Sequence, residues 1–312
     1  MLKKAILSLL LLLVVFYFYA CYGRKNRILS KEEVKQLYCT PDSKFFKWNG
    51  VDVHYTDAGK GIPVLMIHGF GGSVYDFYML DSLIRDQYRV IRVDLPGFGL
   101  SDFPTTKDPN PDFYSAYSEF FKVFMDTLHV DTAYVMGNSL GGSMAWNLCV
   151  QHPEVFKKLV LFNSAGYEMD KVIKSANANL LRNDFVKNVT QKGLPELFTR
   201  IAVQRIFYNQ NSIDKKTIKR MNDLWNRDGN LNHVLAIANS EKFLDTALIK
   251  TISCPTLIIW GKQDNIIPVG HTNRFHRDIK NSTEIIYDSC GHVPMMERPL
   301  DVKRDVLKFL QK

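Results

Sequence analysis

Apolar positions change their spacing along this chain, and the changes divide it into regions. From Ala5 to Tyr22 the residues are uncharged and almost all apolar, with no alternation. Read as a helix, the run is about 27 Å long, close to the ~30 Å hydrocarbon core of a bilayer. Further on, Phe45–Trp48 and Val51–Thr56 flank Asn49-Gly50, a dipeptide suited to two-residue hairpin turns, which predicts a hairpin. Short apolar runs then recur near Val64, Val90, Ala133, Leu159, Leu257 and Ile285, most of them separated by helical patterns. Strands alternating with helices predict an α/β fold with a mostly parallel sheet. The alternation stops after Leu159–Phe162. Between residues 166 and 250 no clear strand pattern recurs, whereas Leu197–Phe207 and Val234–Leu244 are amphipathic at helical spacing. This predicts a helical cap with Phe198, Ile201, Phe207, Leu224 and Trp225 on an apolar face. The expected organisation is an anchor over 1–27, a core over 45–165 and 251–312, and a cap over 166–250.

The flanks of the first run decide how it is read. Lys3-Lys4 precedes it, and Arg24, Lys25 and Arg27 follow. Bulky Phe16-Tyr17-Phe18-Tyr19 stands where a cleaved signal peptide needs small residues, so a retained single-pass transmembrane helix through residues 5–22 is expected. Ala20-Cys21 leaves a bacterial lipoprotein modified at Cys21 as the alternative. Basic residues at both ends leave the orientation open. The formal charge of +8 fits attraction to a membrane surface, and no aromatic-basic nucleic-acid module accompanies it. Five cysteines without regular spacing form neither a disulfide framework nor a zinc signature, so no metal site is expected.

Candidate chemistry centres on Gly137-Asn138-Ser139-Leu140-Gly141, where the apolar strand Ala133–Met136 runs into a helical pattern. A serine between strand and helix sits on a sharp turn. Only residues without side chains, here the elbow glycines Gly137 and Gly141, let the two elements approach closely enough. The turn exposes the hydroxyl and aims a helix N-terminus beside it. Serine needs a base to attack. His292, in Cys290-Gly291-His292 just after the strand Thr283–Tyr287, lies on the same predicted sheet edge. Asp264, past the strand Pro255–Trp260, can orient that imidazole. Alone, Asp264 would read as a turn residue; in the order Ser139, Asp264, His292 it reads as the third member of a triad. An oxyanion needs two N–H donors. Leu140 offers one, and Phe70, in the glycine-rich loop His68–Gly72 after another strand, offers the second. His68 reads as a hydrogen-bonded supporting residue.

His68-Gly69-Phe70-Gly71-Gly72, Asp94–Asp102, Gly137–Gly142, Trp260–Asp264 and Cys290-Gly291-His292 together resemble the alpha/beta-hydrolase superfamily, from about residue 45 to the C-terminus. The resemblance implies the triad Ser139, Asp264 and His292, with Phe70 and Leu140 as the oxyanion hole. It implies a serine hydrolase of carboxylic esters, lipid-like or of the monoacylglycerol type, working without a cofactor on a hydrophobic small-molecule ester. Carbon–carbon bond hydrolysis on the same fold, and a catalytically silent binding protein, are the alternatives. Acyl length, head group and oligomeric state are not legible.

Overall fold

The computed structural model describes residues 27–104, 112–167, 193–240 and 244–312. The expected span over residues 5–22, the alternative lipid site Cys21 and the first part of the expected cap lie outside these residues. Among the described residues no helix is long and apolar enough to cross a membrane.

The elements follow in chain order as α1 (Lys31–Tyr38), β1 (Ser43–Trp48), β2 (Val51–Ala58), β3 (Pro63–Ile67), α2 (Tyr78–Ile84), β4 (Arg89–Val93), α3 (Phe113–Thr127), β5 (Ala133–Asn138), α4 (Leu140–Gln151) and β6 (Phe156–Phe162). After the cap helices α5 (Glu196–Ile206), α6 (Lys215–Trp225) and α7 (Asn230–Asn239) come β7 (Thr256–Gly261), α8 (His271–Asp278), β8 (Ser282–Tyr287), α9 (Pro294–Glu297) and α10 (Pro299–Leu310).

The strands form one sheet in the order β1-β2-β4-β3-β5-β6-β7-β8. The expected hairpin is β1–β2, with Trp48 opposite Val51 and left-handed Asn49 and Gly50 at its turn. β2 also runs antiparallel to β4, and every pairing beyond that is parallel. The central strands are apolar on both faces because helices cover both. Leu65 and Ile67 of β3 join the cluster containing α3 and α4, whereas Val64 and Met66 join the one containing α2 and α10. Each fully buried side chain of this kind is worth roughly 1.5–3 kcal/mol.

Chain order reverses direction across the sheet at β3, which has β4 on one side and β5 on the other. At such a switch point the loops leaving neighbouring strands part, and a crevice opens at their carboxyl ends. Ser139, Asp264 and His292 all follow parallel strands at that edge.

Between β6 and β7 the described residues form helices, of which α5 lies within one residue of the expected Leu197–Phe207 and α7 overlaps the first part of the expected Val234–Leu244. The apolar face of these helices differs from the expected one. Phe207 and Leu224 are buried, but Phe198 and Ile201 are 49% and 48% exposed. Those two lie three apart on α5, whose buried side is instead held by Thr199 and Val203. Helical spacing identified the helix but not the side turned inward.

Candidate active site

The elbow has the geometry its glycines imply. Ser139 is held at φ 53°, a left-handed conformation that costs a non-glycine residue about 1–3 kcal/mol. A Cβ on Gly137 would stand 2.1 Å from the Gly141 carbonyl oxygen, and one on Gly141 would stand 2.2 Å from that of Ile67. Side chains at either position would push β5, α4 and β3 apart. The turn is fixed by its backbone: Ser139 N–H donates to Phe162 O at 3.1 Å, and Ala165 N–H donates to Ser139 O at 3.0 Å. Leu140 opens α4, so its N–H has no intrahelical acceptor.

His292 and Asp264 come together from β8 and β7. His292 Nδ1 lies 2.8 Å from Asp264 Oδ2, and the aspartate side chain has no exposed surface. Asp264 Oδ1 accepts the N–H groups of Ile266 and Ile267 at 2.7 and 3.1 Å. One oxygen of Asp264 thus closes the local turn while the other bonds the imidazole of His292. A buried carboxylate so placed keeps the proton of the imidazole on Nδ1 and leaves Nε2 free to act as a base.

Asparagines that the sequence did not single out brace this pair. Asn163, directly after β6 and left-handed at φ 42°, donates from Nδ2 to Asp264 Oδ2 at 2.6 Å and to Gly291 O at 3.3 Å. Its Oδ1 accepts the Gly261 N–H at 3.3 Å. Asn138, beside the elbow serine, donates to Phe162 O and His292 O, both at 3.0 Å. Asparagine tolerates left-handed backbone and can both donate and accept, which suits a strand end where several loops meet. An asparagine just after an apolar strand was the available signal for Asn163.

Glu297 was also missed. Its Oε1 accepts the N–H of Gly291 at 2.7 Å, and its Oε2 accepts those of Tyr208 and Asn209 at 2.8 and 3.3 Å. The N–H of His292 donates to Ile206 O at 2.7 Å. The end of α5 and the histidine loop are therefore one hydrogen-bonded unit. Burial raises the Glu297 carboxyl above its ordinary value, although its three N–H partners favour the ionised form.

Around Phe70, Trp225 Nε1 donates to Gly71 O at 2.6 Å, and Val74 N–H donates to Asp94 Oδ1 at 2.6 Å. His68 is buried, and burial lowers its pKa. In the neutral ring, Nδ1–H donates to Gly69 O at 2.7 Å and Nε2 accepts Leu95 N–H at 3.0 Å, which matches the supporting role expected of it. Cys290 is fully buried and burial raises its thiol pKa, the opposite of what a nucleophilic thiolate needs.

Ser139, His292, Phe70 and Asn138 line one cavity with Gly69, Gly71, Gly72, Asp76, Ile206, Phe207, Met221, Trp225, Val293 and Met296. Core loops and cap share its wall. The arrangement can carry nucleophilic attack by a serine on a carbonyl carbon, with a histidine as base and backbone N–H groups near the developing negative charge.

The family profile described as "alpha/beta hydrolase fold" matches residues 62–299, and the chain belongs to that family. It is 26% identical over 277 residues to the "Uncharacterized hydrolase YugF" of Bacillus subtilis, covering 85% of this chain and 97% of that one. It is 28% identical over 281 residues to the 2-hydroxy-6-oxo-6-(2'-aminophenyl)hexa-2,4-dienoic acid hydrolase of Metapseudomonas resinovorans, covering 86% and 91%. Among solved structures, a candidate lipase (lip1) from Acinetobacter baumannii AYE superposes with a TM-score of 0.71 at 25% identity, covering 90% of this chain and 94% of that one.

Proposed function

We propose that this hydrolase cleaves carboxylic esters through an acyl-enzyme on Ser139, acting on uncharged, lipid-like substrates such as monoacylglycerols. The carrying observation is the character of the cavity wall. Phe70, Ile206, Phe207, Met221, Trp225, Val293 and Met296 suit an acyl chain, and Asp76 adds a carboxyl group. Where that carboxyl is ionised, it disfavours an anionic substrate by like-charge repulsion.

Ser139 Oγ attacks the ester carbonyl while His292 Nε2 takes its proton. Asp264 keeps the imidazole in the required tautomer and stabilises the imidazolium. The N–H groups of Phe70 and Leu140 receive the oxyanion. Collapse of the tetrahedral intermediate breaks the carbon–oxygen bond, and His292 returns the proton to the leaving alcohol. A water, deprotonated by the same histidine, then releases the acid and restores Ser139. Every role is filled by a protein group, so the reading requires no metal or organic cofactor.

Carbon–carbon hydrolysis is the second reading, supported by the Metapseudomonas relative, whose name specifies a dienoic acid substrate. The two separate in one assay. Purified protein is given a decanoyl ester and, in parallel, a vinylogous diketone carboxylate; turnover of the ester with little of the diketone is expected, and the reverse would install the second reading. Covalent labelling of Ser139 by a fluorophosphonate separates both from a silent binding protein.

Residues 5–22 complete the proposal as a retained membrane anchor that keeps the enzyme beside its substrate. Full-length protein should stay in the membrane pellet after alkaline carbonate, since buried apolar area rather than screened charge holds it there. Release into the supernatant would refute the anchor, and a mature N-terminus at an acylated Cys21 would replace it.

A further inference from the structure

The cavity wall holds a carboxyl group for which the reaction has no use. Asp76 lies on the short 3-10 turn Val74–Phe77 that follows the oxyanion loop, and it lines the same cavity as Ser139 and His292. The loop is shaped around it. A Cβ on Gly72 would stand 2.1 Å from Asp76 Oδ2, and the backbone N–H of Ser73 bonds the carboxylate.

The other polar side chains of the described wall are already committed. Asn138 Nδ2 is taken by the carbonyls of Phe162 and His292, and Trp225 Nε1 by that of Gly71. Ser139 and His292 carry the reaction. An acyl chain has nothing to offer a carboxyl group, and pressing apolar methylenes against it would remove its water without returning a hydrogen bond. The alcohol half of an ester can differ in this respect, because a free hydroxyl next to the ester oxygen is a donor.

We propose that Asp76 is a specificity-determining residue for the alcohol half of the substrate, accepting a hydrogen bond from a free hydroxyl such as those of a monoacylglycerol. The proposal rests on the ester reading above and narrows it to esters of polyhydric alcohols. A hydroxyl suits this group in either protonation state, since the ionised carboxylate accepts from it and the protonated acid both accepts and donates. A site built to bond a hydroxyl discriminates strongly against an analogue lacking it, because its own polar group is then left unpaired.

The test compares kcat/KM for 1-decanoylglycerol and methyl decanoate, which share an acyl chain, in the wild-type enzyme, Asp76→Leu and Asp76→Asn. The glycerol-to-methyl ratio should fall about 10-fold or more in Asp76→Leu, with Asp76→Asn in between. A ratio unchanged by both substitutions overturns the proposal, whether the two rates hold or fall together, because a residue that merely shapes the loop scales both. A measurement on the wild-type enzyme alone guards against a variant that fails to fold. Methylating both free hydroxyls of 1-decanoylglycerol should lower kcat/KM about 10-fold or more, and equal turnover of the two esters would overturn the proposal. A wild-type enzyme that labels with fluorophosphonate yet hydrolyses none of these esters refutes the ester reading itself, an outcome distinct from an unchanged ratio.

Discussion

Two Ser-His-Asp sets stand out among the described residues, and the histidine–aspartate bond alone does not tell them apart. In one, His292 Nδ1 lies 2.8 Å from Asp264 Oδ2, and His292 shares a cavity with Ser139. In the other, His54 Nδ1 lies 2.7 Å from Asp94 Oδ2 and His54 Nε2 lies 2.8 Å from Ser43 Oγ. The surroundings distinguish them. Ser139 stands on a left-handed elbow at the head of a helix, whereas Ser43 opens the edge strand β1 and its Oγ already accepts the Thr40 N–H at 2.9 Å. Asp94 also accepts the N–H groups of Val74 and Leu100, at 2.6 and 2.8 Å. Burial works against its charge, but His54 and the Leu100 N–H help to hold its pKa below the ordinary value. The second set ties the hairpin to the loops after β3 and β4. Three residue types brought together become a reactive site only where an elbow, oxyanion donors and open space accompany them.

The sharpest break between the sets is removal of each hydroxyl. Ser139→Ala should lower kcat by about 10⁶ where chemistry is limiting and abolish fluorophosphonate labelling, with the protein still folded. Substantial ester turnover by a pure sample would sink the assignment of Ser139. Next in size is Asp264→Asn, expected to cost about 10⁴ in kcat because the amide can hold the imidazole in the wrong tautomer. A loss below tenfold would mean that another group orients His292.

Asp76 provides a pH test with a definite sign. Burial is the dominant cause and pushes its carboxyl from 3.8 up to about 7, with the Ser73 N–H and Arg220 pulling it down and Asp94 pushing it further up. The folded state then holds this proton more tightly than the unfolded chain does. The stabilising contribution is complete below about pH 4 and is lost as pH rises toward 7. Asp76→Asn cannot titrate, so its Tm relative to wild type should rise between pH 4 and pH 8, corresponding to at most ~4 kcal/mol. A constant difference across that range would show that the carboxyl titrates normally.

Glu297 tests how the working set is supported. Its carboxylate ties the histidine loop to the cap through Gly291, Tyr208 and Asn209. Glu297→Ala should lower kcat/KM about 10²-fold, the scale of a ~1 Å misplacement of a reacting group, while Ser139 keeps labelling slowly. An unchanged rate would show that the backbone bond from His292 to Ile206 positions the loop by itself.

The proposed catalytic set was largely legible in the sequence, for a physical reason. Sharp turns need glycine, buried parallel strands need continuous apolar runs, and both leave local marks, so Gly137, Gly141 and the strand ends carrying Ser139, Asp264 and His292 could be read directly. Asn163, Glu297 and the His54–Asp94 pair are defined by partners distant in the chain. Asn163 meets an aspartate 101 residues away, and nothing within one strand or helix announces that contact. The apolar face of α5 failed similarly. Helical spacing records that Phe198 and Ile201 share a side, while which side packs inward depends on what the rest of the cap offers.

The smallest expected effect makes the comparison between the two sets complete. Ser43→Ala removes an acceptor from the Thr40 N–H and the partner of His54 Nε2, at the half-buried edge of the sheet. Net hydrogen bonds of this kind are worth about 1 kcal/mol each, and water can reach a half-buried site and replace part of what is lost. The variant should therefore lose on the order of 1 kcal/mol of stability, a fall of a few degrees in Tm, while kcat and labelling of Ser139 stay at wild-type values. Because His54 leads through Asp94 to Val74 behind the oxyanion loop, any influence of Ser43 on chemistry must pass along that chain of bonds. A stable Ser43→Ala protein with kcat reduced tenfold would reveal that the second set tunes the first, and would end the division into a structural and a reactive set.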